Sequence, residues 1–430
     1  MSAQARELIA SINGMTVGRL RDESDIWSFE YDDAWEKSQA GFDLAPNISR
    51  GKGRIVDGAS ARPVQWFFDN LLPEEDAREV LASDARLSSA DSFGLLEYYG
   101  KESAGAITLL PPGASFTESG YRALSDADLH ERIENLPQQS LAAKAPKRMS
   151  NAGAQHKLAV CLRDGALFEP IGATPSTHIL KPDHQDVDSW PNTVANEYFV
   201  MRLAARLGLS VPAVEIRYVP DPVYLIERFD RVNVGDETRR THIIDCCQLL
   251  GVSRTLKYQQ ASTENLLRCV ELCRERARAR IGIVRWIFFN ALTGNADAHL
   301  KNLSFRVNLE GFDLAPFYDL VSTESYRASI GNNPRWPDRP LSMPIGNAQT
   351  FGAVTRQDCL IVADALGIAK RPALRLLDEL IASIEGVAEA LQQEFDGMTI
   401  PQNTRGGQHR VLLNIRFVVI REMVARLSPK

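Results

Sequence analysis

Asp297 and Asn302 stand five residues apart in the run from Asn290 to Asn302, and Asp319 follows closely, behind Phe317 and Tyr318. Two carboxylates and a carboxamide in this order suit phosphoryl transfer. In that chemistry one Asp accepts the proton of the attacking hydroxyl, an Asn five residues on holds a magnesium ion, and a second Asp carries the metal that bridges the phosphates. The plainer alternative is an ordinary loop in which Asp and Asn cap turns. The series favours the chemistry because it is ordered, with each residue type arriving where phosphoryl transfer needs it.

These residues need elements to hold them. The apolar run from Ile281 to Leu292 predicts a helix, and Gly294 predicts its stop. A short strand, Leu303 to Val307, turns at Asn308 to Gly311 and returns through Phe312 to Leu314, delivering Asp319. Upstream, residues 147–157 form a loop of small side chains. Ala152, Gly153, Ala154 and Gln155 would let backbone N–H groups approach a phosphate, and Lys157 would add a charge. The loop has one glycine, so a plain hairpin loop stays open as an alternative. Thr177 to Lys181 reads as a strand ending in a lysine that could hold nucleotide phosphates. The helix from Asn192 to Leu207 carries Glu197 early, either to pair with Lys181 or as a solvated first-turn acid. Two strands follow, Val214 to Val219 and Val223 to Phe229, and at the exit Glu227 and Phe229 would supply groups to an adenine. Helices are expected to dominate after this point. Ser262 caps one, and Arg274 to Arg280 continues it as a solvated basic face with Glu271 and Glu275 as partners. Residues 355–430 read as amphipathic helix throughout. The order predicts an α+β, bilobal protein-kinase-like fold with a small mixed N-terminal domain and a mostly helical C-terminal lobe.

Composition sets limits on this. A chain of 430 residues with 44% hydrophobic content suggests two or three globular domains. The expected divisions are 1–112, 147–231 and 232–430. A net charge of -6 gives no global attraction to nucleic acid or anionic lipid. The first residues lack the pattern of a signal peptide, and no apolar run reaches membrane-spanning length. Six cysteines are scattered without metal-ligand spacing, as expected of reduced core residues in a cytoplasmic protein.

Over nearly its whole length the chain resembles the HipA toxin kinases. The resemblance rests on Ser150 to Lys157, Thr177 to Lys181, Asn196 to Tyr198, Glu227 to Arg231, Gly294 to Asn302 and Pro316 to Asp319. In the N-terminal part it rests on Phe67 to Pro73 and Ser103 to Leu109. It implies a Mg-ATP-dependent serine/threonine kinase with Asp297 as the base, Asn302 and Asp319 on magnesium, Lys157 and Lys181 on phosphates, and Glu227 and Phe229 at the adenine. His299 and Lys301 lie beside the base and would help position the phosphoryl group. Ser150 would be an autophosphorylation site. The implied substrate is an aminoacyl-tRNA synthetase, in known cases the glutamyl enzyme, with growth arrest and persistence as the result. The implied partner is a HipB-like helix-turn-helix antitoxin. Some members carry basic residues near operator DNA where this chain has Asp364 to Ile368, so DNA contact is expected only through the antitoxin complex. The rival functions are a kinase-shaped corepressor without turnover and a kinase for a small molecule or lipid.

Overall fold

A computed structural model describes residues 5–116, 118–147, 155–235, 237–326 and 340–429. The chain forms two compact units. The first holds Met1–Lys181, Ile226–Leu256 and Ser304–Asp313, and the second Pro182–Leu225, Lys257–Leu303 and Leu314–Lys430.

The first unit opens with β1 (Arg6–Ile12), β2 (Met15–Glu23) and β3 (Ile26–Tyr31). Asn13 and Gly14, both at positive φ, make the tight turn between β1 and β2, as an Asn-Gly pair favours. With β4 (Ile55–Val56) and β5 (Ile107–Leu110) they form a five-stranded sheet in the order β4-β3-β2-β1-β5. Four helices accompany it: α1 (Asp33–Lys37), α2 (Pro63–Asp69), α3 (Glu75–Ala85) and α4 (Ser92–Tyr99). The strands bury Leu8, Leu20, Trp27 and Phe29, with Trp27 against Phe93 and Phe29 against Phe68. Next come β6 (Ser119–Ala123), α5 (Asp126–Glu134), β7 (Leu158–Arg163), β8 (Ala166–Gly172) and β9 (His178–Pro182). They pair antiparallel in the order β6-β8-β7-β9, and Lys181 is the next-to-last residue of β9, one short of the strand end that the sequence predicts for it.

The second unit takes α6 (Thr193–Arg206) and the neighbouring strands β10 (Val214–Tyr218) and β11 (Pro222–Glu227), whose last two residues return to the first unit. There the expected run of helices does not begin at once. The hairpin of β12 (Arg231–Val234) and β13 (Glu237–Arg240) intervenes, followed by β14 (Ile243–Asp245) and α7 (Cys246–Leu250). Each strand is only four residues long and mostly exposed, too short for an apolar period to mark it.

Helix α8 (Thr263–Leu272) stops at Cys273, and α9 (Arg276–Thr293) starts anew. Arg274 to Arg280 is therefore not a continuation of α8. Its side chains still meet the acids expected of a solvated face, Arg276 and Arg280 with Glu271 and Arg278 with Glu275, each at 3.1 Å. From Ile283 to Thr293 nearly every side chain of α9 is buried, which marks a helix in the middle of its unit rather than on the surface. Strands β15 (Ser304–Asn308) and β16 (Gly311–Leu314) form the expected hairpin and extend to β14. The second unit closes with β17 (Pro340–Ile345), β18 (Ala348–Thr350), α10 (Arg356–Ala365), α11 (Lys370–Asp396), α12 (Gln402–Leu413), a π-helical turn at Asn414–Ile420 and α13 (Arg421–Leu427). All six cysteines are buried and free, as expected of core thiols. No helix among the described residues is long and apolar enough to cross a membrane.

Candidate active site

Asp297 is positioned by the way α9 ends. Gly294 takes φ +71 and donates its N–H to the Asn290 carbonyl. A Cβ there would lie 2.6 Å from Val419 Cγ1 and would also force a left-handed L residue, so glycine is required on both counts. The loop beyond is bound at almost every step. Asn295 Nδ2 donates to Asn290 Oδ1, Asp297 N–H to Asn295 Oδ1, and Ala296 N–H to Thr323 Oγ1. Ser342 N–H donates to the Ala296 carbonyl at 2.8 Å. Asn302 Nδ2 donates to the Asp297 carbonyl at 3.0 Å, so one hydrogen bond spans the five-residue interval. With its NH₂ used in this way, Asn302 has its amide oxygen to offer a hard cation.

Asp319 stands at φ +57, a left-handed conformation that Asp tolerates better than most residues. The chain is fixed on both sides of it. Phe317 N–H donates to the Ser210 carbonyl at 2.7 Å, and the Tyr318 hydroxyl donates to the Lys301 carbonyl at 2.6 Å. Asn196 on α6 exchanges two hydrogen bonds with the backbone of Ser322, at 3.0 and 2.8 Å.

Asp297 is exposed, yet it is hard to ionise. Surrounding protein, and then the like charge of Asp319, push its pKa up to about 6. Hydrogen bonds from Ser342 and Tyr258 and the positive charge of Lys257 work against that rise. Ser342 Oγ donates to Asp297 Oδ1 at 3.1 Å. Lys257 is buried with its ammonium 4.9 Å from the Tyr258 ring centre, and that ring meets His299 edge-on at 5.1 Å. Two carboxylates that repel each other, with an amide oxygen beside one of them, suit a bound divalent cation, which would relieve the repulsion. Among the described residues no group of three or more His, Cys, Asp or Glu could hold a metal unaided.

Glu197 is buried on α6, and its charge and that of Asp319 both act on the buried hydroxyl of Tyr224, whose pKa burial and these acids push well up. Lys181 is buried at the end of β9, Gln155 and Lys157 lie half-buried just before β7, Glu227 is exposed at the end of β11, and Phe229 is half-buried two residues on. Lys181 belongs to the first unit and Glu197 to the second. His299 and Lys301 are both buried in the Asp297 loop. Ser150, Ala152, Gly153 and Ala154 lie outside the described residues. Lys257, Tyr258 and Ser342 also act on Asp297 and stand outside the sequence expectation. No motif or period marks them, and their link to Asp297 is made only by folding.

Residues 8–110 match the HipA N-terminal domain, and residues 149–388 match the HipA-like C-terminal domain. The chain is 30% identical over 415 residues to the serine/threonine-protein kinase toxin HipA of Shewanella oneidensis, covering 91% of this chain and 90% of that one. The chain belongs to the HipA family. Another relative, Y4mE of Sinorhizobium fredii, is 33% identical over 401 residues, 89% of this chain and 91% of its own. Among solved structures, HipA in the Shewanella oneidensis complex of HipA, HipB and operator DNA superposes with a TM-score of 0.79 at 26% identity, covering 98% of this chain and 99% of that chain. Membership in the HipA family makes this chain a protein serine/threonine kinase and a HipA-type toxin, with an α+β kinase-like fold.

Proposed function

We propose that this chain is a Mg-ATP-dependent serine/threonine kinase that arrests growth by phosphorylating a protein of translation, with an aminoacyl-tRNA synthetase such as the glutamyl enzyme as the substrate. A HipB-like helix-turn-helix protein is its antitoxin, and operator DNA is reached through that complex. The toxin acts in the cytoplasm. The chain then divides into a companion domain over 1–112, a nucleotide-binding lobe over 147–231 and a helical catalytic lobe over 232–430. The observation that carries this reading is the Asp297 loop, in which the carboxylate feels the charge of Asp319 while Asn302 is bonded to the Asp297 carbonyl.

Asp297 takes the proton of the substrate hydroxyl. Asn302 and Asp319 would hold magnesium, which when bound neutralises charge on the phosphates. Lys157 and Lys181 hold phosphates, Glu197 pairs with Lys181, and backbone groups of Ala152, Gly153, Ala154 and Gln155 contribute N–H donors. Glu227 and Phe229 line the adenine site, and His299 and Lys301 flank the transferred group. The test is to incubate purified protein with labelled ATP and a cell lysate, then identify the labelled protein. Label on no protein in the wild-type reaction would overturn the proposal.

Three outcomes follow from these roles. Growth should stop when the chain is expressed alone, resume with a cognate antitoxin, and continue undisturbed with Asp297→Ala. Arrest by the Asp297→Ala protein would favour the corepressor instead. The pH dependence has a definite sign. Asp297 must be ionised to accept a proton, so kcat/KM should fall about tenfold per pH unit below an apparent pKa of about 6. A flat profile from about pH 5 to about pH 8 would remove Asp297 from the role of base. Finally, Ser150 should gain phosphate in Mg-ATP, and the added charge of about -1.5 to -2 should drive the nucleotide off. Mass spectrometry checks the first half, since the phosphate must be absent from Asp297→Ala. Unchanged ATP affinity of the modified form would refute the self-limitation.

A further inference from the structure

Glu102 lies in the companion domain, in the loop between α4 and β5, and it is completely buried. A lone buried carboxylate is costly, and this one is surrounded by cations. Lys147 Nζ is 2.5 Å away, an Arg231 nitrogen 3.0 Å, an Arg228 nitrogen 3.3 Å and an Arg240 nitrogen 3.5 Å. Ser176 adds its backbone N–H at 2.9 Å and its hydroxyl at 2.5 Å. These partners hold Glu102 well below the usual carboxylate range despite its burial.

What these partners belong to gives the cluster its meaning. Glu102 falls within residues 8–110, matched to the HipA N-terminal domain, and Ser176, Arg228 and Arg231 within residues 149–388, matched to the HipA-like C-terminal domain. Ser176 stands two residues before β9, the strand that carries Lys181. Arg228 and Arg231 bracket Phe229, which stands two residues past Glu227. The Glu102 carboxylate therefore ties together two of the described segments that carry nucleotide-binding groups in the reading above. The segments are also tied directly, by Arg228 N–H to the Thr177 carbonyl at 2.9 Å and Arg231 Nε to the Ser176 carbonyl at 3.0 Å. A second carboxylate, Asp230, bonds Arg228 and Arg231 and accepts from Gly105 N–H of the companion domain at 2.7 Å.

We propose that Glu102 is a positioning residue for ATP: alongside the Asp230 contacts and the direct bonds, this carboxylate lets the companion domain set the spacing of the β9 lysine and the adenine-facing segment. The proposal rests on the kinase reading and concerns nucleotide affinity, since no atom of Glu102 need touch the reacting groups. The network holds four cations and two carboxylates, so neutralising Glu102 alone would leave more positive charge buried. The variant Glu102→Gln/Lys147→Met keeps the net charge of the cluster and is the one to make, beside Lys147→Met alone and Glu102→Asp.

Each full-length variant is checked for a cooperative melt, then assayed for phosphotransfer against ATP concentration and for direct Mg-ATP binding. The double variant should raise KM for ATP about tenfold and change kcat less than about threefold, while Lys147→Met, which keeps Glu102, stays within about twofold of wild type on both. Glu102→Asp keeps the charge but shortens the arm, and its KM should rise about threefold or more. The proposal is overturned if folded Glu102→Asp, or the folded double variant, has wild-type KM. It is equally overturned if Lys147→Met alone reproduces the whole effect, or if the loss falls on kcat. Should the double variant fail to fold, Glu102→Asp decides alone. A wild type that binds no Mg-ATP sinks the kinase reading and this proposal with it, whereas a wild type that binds with indifferent variants sinks this proposal only.

Discussion

Asp297→Ala should lower the phosphotransfer rate by about 10² to 10⁴-fold, the usual contribution of a positioned general base, and leave Mg-ATP affinity within about threefold of wild type. The split follows from where a base works. It meets the substrate hydroxyl on the far side of the transferred phosphoryl group from the leaving nucleotide, so it contributes to the transition state and little to ground-state binding. Loss of fold can be separated from loss of chemistry. The Asp297 pKa is raised from 3.8 to about 6 in the folded protein. A carboxylate raised in this way favours folding only below its unfolded value, and the benefit disappears as pH climbs through the folded value. At neutral pH its ionised form opposes the fold, so a neutral substitute should melt no lower than wild type, even with the hydrogen bond from Ser342 gone. Thermal melts beside kinase assays read both quantities. A folded Asp297→Ala protein that turns over normally would remove the residue from catalysis.

The opposition between stability and chemistry also explains what could be read from sequence. The placing of Asp297, Asn302 and Asp319 was legible because they stand at short intervals along one loop and hairpin, and local elements keep those intervals. Gly294 was legible for a similar reason, since only its backbone freedom ends α9 where it does. Lys257, Tyr258 and Ser342 reach Asp297 from segments some 40 residues away on either side in sequence, and nothing local in the chain encodes that meeting. Glu102 was hidden for a third reason. In sequence it is a common surface-type residue after a lysine, and only the convergence of cations from β13, from the end of β11 and from Lys147 makes it a buried hub. The hairpin of β12 and β13 was lost because its strands are four residues each and the alternating valines of β12, Val232 and Val234, stay exposed.

Asp319→Asn should act on a different quantity from Asp297→Ala: nucleotide affinity as well as rate, and both through magnesium. Magnesium prefers charged oxygen ligands, and an amide in place of a carboxylate keeps the shape while removing the charge that attracts the ion. The backbone supports this choice of substitute. Asn is one of the few residues that accept the left-handed conformation held here at φ +57, and the bonds at Phe317, Tyr318 and Ser322 involve no Asp319 side-chain atom. The fold should therefore survive. In magnesium, affinity for ATP should fall about tenfold or more, the size of losing roughly 1.4 kcal/mol from a charge-assisted contact, and turnover should fall with it. Without magnesium, the wild type and the variant should bind ATP alike. The Asp297 group supplies an internal control, because the like charge of Asp319 helps raise its pKa. With that charge gone, the acid limb of kcat/KM should move to lower pH. Titrating ATP with and without magnesium, and following the limb in the same two proteins, tests both consequences. An unchanged magnesium dependence with an unmoved limb would show that Asp319 neither holds the metal nor faces the base.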